Sequence, residues 1–120
     1  MQFRYIEFLI IPGVDFESSL KAKEISSEID IESYWSAGLH PHDAKLLNSQ
    51  RESLENLFQE ADLIGETGLD FYYDNSDRNK QIESFKMHIK AALEANIPLI
   101  IHSRNAEEKT YEVLNEYKDE

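Results

Sequence analysis

The chain has no cysteine, which excludes a disulfide framework, a thiolate metal site and a cysteine nucleophile. Long apolar runs are missing as well: no stretch approaches the ~20 residues of a membrane span. The opening "MQFRYIEFLIIPG" lacks a signal-cleavage region, so the cytoplasm is the expected location and a membrane is not an expected partner. Positive charge is scarce, with 12 Lys and Arg against 24 Asp and Glu and a formal net charge of −12. Generic polyanion binding relies on cationic side chains neutralising phosphates, so this composition argues against it unless divalent cations bridge the repulsion. Most of the carboxylates read as a solvated surface. With 4 Gly and 3 Pro there is no low-complexity tract or linker to divide the chain.

What is present is ordinary for a folded protein: 41% apolar and 30% charged residues in 120 positions. That length suits one domain but falls short of a complete (β/α)₈ barrel, which typically needs ~250 residues. Four β-like runs alternate with helical patterns. "EFLIIPG" is apolar, β-branched and stopped by Pro12 and Gly13. Asp15 then caps a helix whose approximate apolar face is Phe16, Leu20, Ile25 and Ile29. "SYWSAGLH" is the second strand, followed by a helix with Leu54, Leu57, Phe58 and Ala61 on one side. "DLIGETGLDF" is the third, and "NKQIESFKMHIKAALEAN" carries a stripe of Ile82, Phe85, Ile89, Ala92 and Leu93. "IPLIIHSR" is the fourth, before a last helix with Val113, Leu114 and Tyr117. A regular strand–helix alternation implies parallel strands in an α/β fold. Two closures fit it: an open doubly wound sheet, or about four βα units of a (β/α)₈ barrel.

The strand ends share a theme. Gly13 ends the first, His40 and His42 in "GLHPH" the second, Glu66 and Asp70 in "GETGLD" the third, and His102 the fourth. Carboxy-terminal strand ends are where parallel α/β folds bind ligands, and a strand buried on both faces carries polar groups most readily there. Carboxylate and imidazole are ordinary ligands of zinc and manganese, so Glu66 with His102 is a sensible ligand pair. An ion pair of Glu66 with Arg104, or a carbonyl hydrogen bond to His102, explains the same residues without a metal. His40 and His42, with Pro41 fixing the turn between them, could equally serve as loop supports. His88, inside the long helix, reads as a surface or interhelical residue.

"SAGLHPHDA", "IGETGLDFYYD" and "NKQIESFKMHIKAALEANIPLIIHSRNA", in this order and spacing, closely resemble the TatD family of metal-dependent deoxyribonucleases, within the amidohydrolase-like metal hydrolases. The resemblance covers nearly the whole chain. It implies a partial (β/α)₈ barrel with a divalent-metal site (Mg, Mn or Zn) at the strand ends. Glu66 and His102 match metal ligands of the family, His40 matches the histidine of its G-x-H-P-H segment and is expected near substrate, and Arg104, in the "HSR" motif, has a guanidinium fork that suits either contacting phosphate or orienting Glu66. Thr67 stands where an aliphatic residue is common in the family.

Two family features have no counterpart here: the H-x-H motif of the first strand, and the aspartate of a later T-D motif that would act as general base. Residues 1–120 therefore resemble strands two to five with their helices, a single but incomplete hydrolase domain. The expected function is metal-dependent hydrolysis of DNA phosphodiester bonds, impaired in this chain alone and recoverable by self-association or a complementary barrel fragment. A non-catalytic α/β fragment or interaction module is the alternative, and related hydrolases that cleave amide or lactone bonds leave the substrate open.

Overall fold

The structure is a computed structural model that describes residues 6–120; the first five residues of the amino-terminal stretch read above lie outside it. Four strands alternate with helices: β1 (Leu9–Ile11), α1 (Phe16–Glu28), β2 (Ser33–Ala37), a 3₁₀ turn (Pro41–Leu46), α2 (Leu47–Phe58), β3 (Leu63–Asp70), α3 (Arg78–Ala95), β4 (Leu99–Arg104) and α4 (Glu107–Asn115). All pairings are parallel, and the spatial order β1-β2-β3-β4 follows the sequence. That order decides between the two closures. A doubly wound sheet reverses direction at a switch point, whereas a barrel adds each strand on the same side of the last. The open-sheet alternative is thereby corrected, and the four strands form a curled half-barrel. Among the described residues no helix is long and apolar enough to cross a membrane.

Helix starts are set by local chemistry. Asp15 accepts from the Ser18 N–H at 2.8 Å while Ser18 Oγ accepts from the Asp15 N–H at 3.0 Å, a reciprocal cap that satisfies two orphan donors. Asp77 caps α3 without the return bond, accepting from the Asn79 and Lys80 N–H groups at 2.8 and 3.3 Å, and α3 ends at Asn96 in the left-handed conformation.

The core lies between the sheet and its helices. Leu54, Leu57 and Phe58 of α2 pack with Trp35, Leu39 and Ile64, as their periodicity predicts. Leu69, Phe85, Ile89, Ala106 and Val113 form a second cluster under α3 and α4. Elsewhere the apolar pattern misleads. In α1 the buried residues are Ser19 and Ala22, while Leu20 and Ile25 remain 38% and 39% exposed. The reason is close approach: Ser19 Oγ accepts from the Gly38 N–H at 3.2 Å, and any Cβ on Gly13 would collide with Ser19, so only small side chains fit that face. In α3 the buried face is partly polar. Gln81, Ser84 and His88 are buried beside Phe85, Ile89 and Ala92, whereas Leu93 is exposed.

His88 is not a surface residue. Its Nε2 accepts from the Leu39 N–H at 2.9 Å and its Nδ1 lies 2.7 Å from the Ser84 carbonyl. The first bond requires an unprotonated Nε2, so the proton sits on Nδ1 and donates to Ser84. A second proton would set N–H against N–H, and burial already lowers the His88 pKa from 6.5 to about 4.

Two predictions follow from these buried polar groups. Thr67 is fully buried and its hydroxyl has no hydrogen-bond partner among the described residues. Thr67→Val should therefore stabilise the fold by about 1 kcal/mol, read as a higher denaturation midpoint at unchanged slope. For His88, the unfolded chain takes up a proton below pH 6.5 that the folded chain refuses until about pH 4. Stability should fall as pH drops through that window, by on the order of 3 kcal/mol from this group. His88→Gln, which keeps an acceptor for Leu39 and a donor for Ser84, should flatten the slope in denaturation curves taken between those pH values; an unchanged slope would show that His88 titrates normally.

Candidate metal centre

The parity of β3 determines which side chains reach the barrel mouth. Ile64 and Leu69 both pack toward the helices, although an uninterrupted strand would point residues five apart to opposite faces. The register resolves this. Ile64 pairs with Leu99 and Thr67 with Ile101, so β3 carries one extra residue between them, a bulge at Gly65 and Glu66. From the bulge onward Glu66, Gly68 and Asp70 face inward, Gly68 paired with His102 and Asp70 with Arg104 of β4. Gly68, at φ +136°, pairs with His102, and a Cβ there would collide with the His102 carbonyl. The amide of Glu66 crosses the mouth to the Gly13 carbonyl at 2.9 Å, tying the bulge to the end of β1.

The loop after β2 brings the histidines to this edge. The His40 N–H donates to the Val14 carbonyl at 2.8 Å, the preceding residue Leu39 is held by His88, and Pro41 starts the 3₁₀ turn. One potential ligand atom each from His40, Glu66 and His102 then lie within 4.8 Å of one another. The His40 ring is 4.5 Å from that of His42 and 4.6 Å from that of His102, centroid to centroid. The Glu66 carboxylate makes no hydrogen bond or ion pair among the described residues; in particular it does not pair with Arg104, whose guanidinium lies over the rings of Tyr72 and Tyr73. Three of the four predicted residues thus meet, and Arg104 stands at the rim.

Of these residues His102 is held by Asp70, a strand-end carboxylate to which the sequence assigns no role. Its carboxylate is fully buried. Oδ2 lies 2.9 Å from both His42 Nε2 and His102 Nε2, and Oδ1 accepts from the backbone N–H of Tyr72 at 3.1 Å and of Tyr73 at 3.3 Å. Burial alone would raise its pKa, but the hydrogen bonds from His102, His42 and the two amides more than compensate and hold it well below the usual carboxylate range. With Asp70 ionised, each Nε2 carries the proton it donates. His102 Nδ1 is then the free lone pair, directed by the carboxylate as metal-binding imidazoles usually are. His40 has the opposite arrangement. Its Nδ1 accepts from the His42 N–H at 3.1 Å, so in the neutral ring Nε2 is a donor. Burial, together with His102 and His42, lowers its pKa to about 4.

A sequence model of the family described as TatD related DNase matches residues 1–120. The chain belongs to that family. The uncharacterized metal-dependent hydrolase YabD of Bacillus subtilis is 34% identical over 116 residues, covering 92% of this chain and 44% of YabD. The 3'-5' ssDNA/RNA exonuclease TatD of Escherichia coli is 32% identical over 115 residues, again 92% of this chain and 44% of the relative. The crystal structure of YjjV, a TatD homolog from Escherichia coli, superposes with a TM-score of 0.77 at 22% identity, covering 93% of this chain and 45% of that one. The half-barrel is therefore a TatD fold, and the chain spans less than half the length of these relatives.

The donor chemistry of the cluster fits a divalent ion. An unpaired carboxylate on Glu66 and an Nδ1 lone pair on His102, set by a buried carboxylate, are hard and borderline donors suited to Mg²⁺, Mn²⁺ or Zn²⁺. Asp70→Asn should retain the fold but weaken Mn²⁺ binding by about 10- to 100-fold, since the amide no longer fixes the His102 tautomer. Titration of Mn²⁺ followed by electron paramagnetic resonance measures this; affinity equal to that of the unaltered chain would remove Asp70 from the account.

Proposed function

We propose that this TatD-family chain contributes a divalent-metal site for hydrolysis of nucleic acid phosphodiester bonds, with Glu66 and His102 as metal ligands. The observation that carries the reading is the convergence of His40, Glu66 and His102 with Asp70 behind His102. A metal held there supplies Lewis acidity to water and to the phosphoryl oxygens. His40, neutral and protonated on Nε2, donates a hydrogen bond to a phosphate oxygen. Arg104 offers a guanidinium at the rim for an adjacent phosphate. The relative named as an ssDNA/RNA exonuclease supports nucleic acid as the substrate class, with DNA the case to examine first.

With His40 serving as a hydrogen-bond donor, the cluster offers a metal two residues, Glu66 and His102, fewer than a two-metal hydrolase uses, and among the described residues none is placed as a general base. We infer that residues 1–120 alone bind metal weakly and turn over slowly. Activity should rise when further donors are added by self-association or by a complementary barrel segment. The test is cleavage of labelled single-stranded DNA by metal-stripped protein after addition of Mg²⁺ or Mn²⁺, across protein concentrations, with Glu66→Gln alongside. The expected result is slow, metal-dependent cleavage that increases with concentration and is lost in Glu66→Gln. Cleavage retained by Glu66→Gln would overturn the ligand assignment. Metal binding without cleavage at any concentration would favour the non-catalytic interaction module.

A further inference from the structure

Tyr72 and Tyr73 follow β3 at the barrel mouth and are 60% and 53% exposed. Their backbone is not loose: both amides are held by Asp70 Oδ1, so the turn is fixed while the rings face outward. The two rings stand perpendicular, 84° apart at 4.7 Å, and present faces in two directions. Tyr73 meets the His42 ring edge-on at 5.5 Å, and His42 in turn contacts His40, so a continuous series of rings leads from the proposed metal site to the rim. Arg104 completes the patch, its guanidinium carbon 5.3 Å from the Tyr73 centroid and 5.7 Å from that of Tyr72. Arg51 pairs with Glu55 and Arg78 with Asp74, but Arg104 has no carboxylate partner among the described residues. In a chain of net charge −12, an arginine without an acidic partner beside two exposed aromatic faces is suited to a ligand that is both planar and anionic.

We infer that Tyr72, Tyr73 and Arg104 form a base-stacking subsite that takes an unpaired nucleobase next to the phosphate at the metal centre. This rests on the nucleic-acid reading above and specifies it. Duplex bases are stacked on one another and have no free face to offer, so the subsite selects single-stranded ends. Stacking on tyrosine tolerates any base, with purines favoured by their larger face.

The test compares three ligands that present the same phosphate with more or less attached to it: deoxyadenosine 5'-monophosphate, deoxyribose 5-phosphate and inorganic phosphate. Each is titrated into the Mn²⁺-supplemented chain by calorimetry. The nucleotide should bind about 5- to 150-fold more tightly than the sugar phosphate, the range one stacked base provides. The combined Tyr72→Leu and Tyr73→Leu variant should lose that preference while keeping its affinity for inorganic phosphate, and the combined phenylalanine variant should retain it. Equal binding of nucleotide and sugar phosphate would overturn the subsite and leave the proposed hydrolysis intact. A base preference that survives the leucine variant would place the base elsewhere and also overturn it. Failure to bind any of the three would count against the nucleic-acid reading, and the subsite would fall with it.

Discussion

The buried carboxylate of Asp70 joins three parts of the chain. One oxygen receives imidazoles from the loop after β2 and from β4, and the other receives the two amides of the turn after β3. Its own main chain is fixed in turn, because Gln81 of α3 accepts from the Asp70 N–H at 2.8 Å and donates to the Asp70 and Ser76 carbonyls. Burying a charge is costly unless it is fully hydrogen-bonded, and here the donors suffice to keep it ionised. A half-satisfied network of this kind would be worse than an apolar one. Fully satisfied, it sets two histidine tautomers and the direction of two tyrosines at once.

The strand that carries Asp70 is shaped to deliver it. An uninterrupted β3 could not place Ile64 and Leu69 toward the helices and also turn Glu66, Gly68 and Asp70 into the mouth. The bulge at Gly65 and Glu66 permits both, and the absence of a side chain at Gly68 lets the strand lie against His102. The same economy of size appears at the first strand, where Ser19 and Ala22 let α1 approach Gly13 and Gly38. Close backbone approach at the mouth thus explains why α1 packs on Ser19 and Ala22 rather than on its leucine.

These two features also mark where the sequence is legible and where it is not. The alternation of strands and helices, the parallel sheet and the mouth residues Glu66, His40 and His102 follow from apolar runs that stop at polar residues, aided by the family resemblance. The choice of a barrel over an open sheet rests on the family resemblance alone, because strand order is a long-range property that local periodicity does not carry. Nothing in the residue types of Gln81 and His88 signals partners that lie 49 positions away for His88 and 11 for Gln81. The "HPH" segment spells two equivalent histidines, yet the fold gives them different tasks: His40 faces the ligand cluster and His42 faces Asp70. The Thr67 substitution was visible as a departure, but its consequence, a buried hydroxyl without a partner, required the packed structure.

Asp70 occupies Nε2 of His102 and so leaves Nδ1, together with Glu66, for a divalent ion. A crystal structure of the chain soaked with Mn²⁺, with the ion located by its anomalous scattering, tests this assignment. One strong peak is expected about 2.0–2.2 Å from a Glu66 carboxylate oxygen and His102 Nδ1, with Asp70 still bonded to Nε2. A peak on His102 Nε2 with Asp70 displaced, or Mn²⁺ bound only away from Glu66, would contradict it.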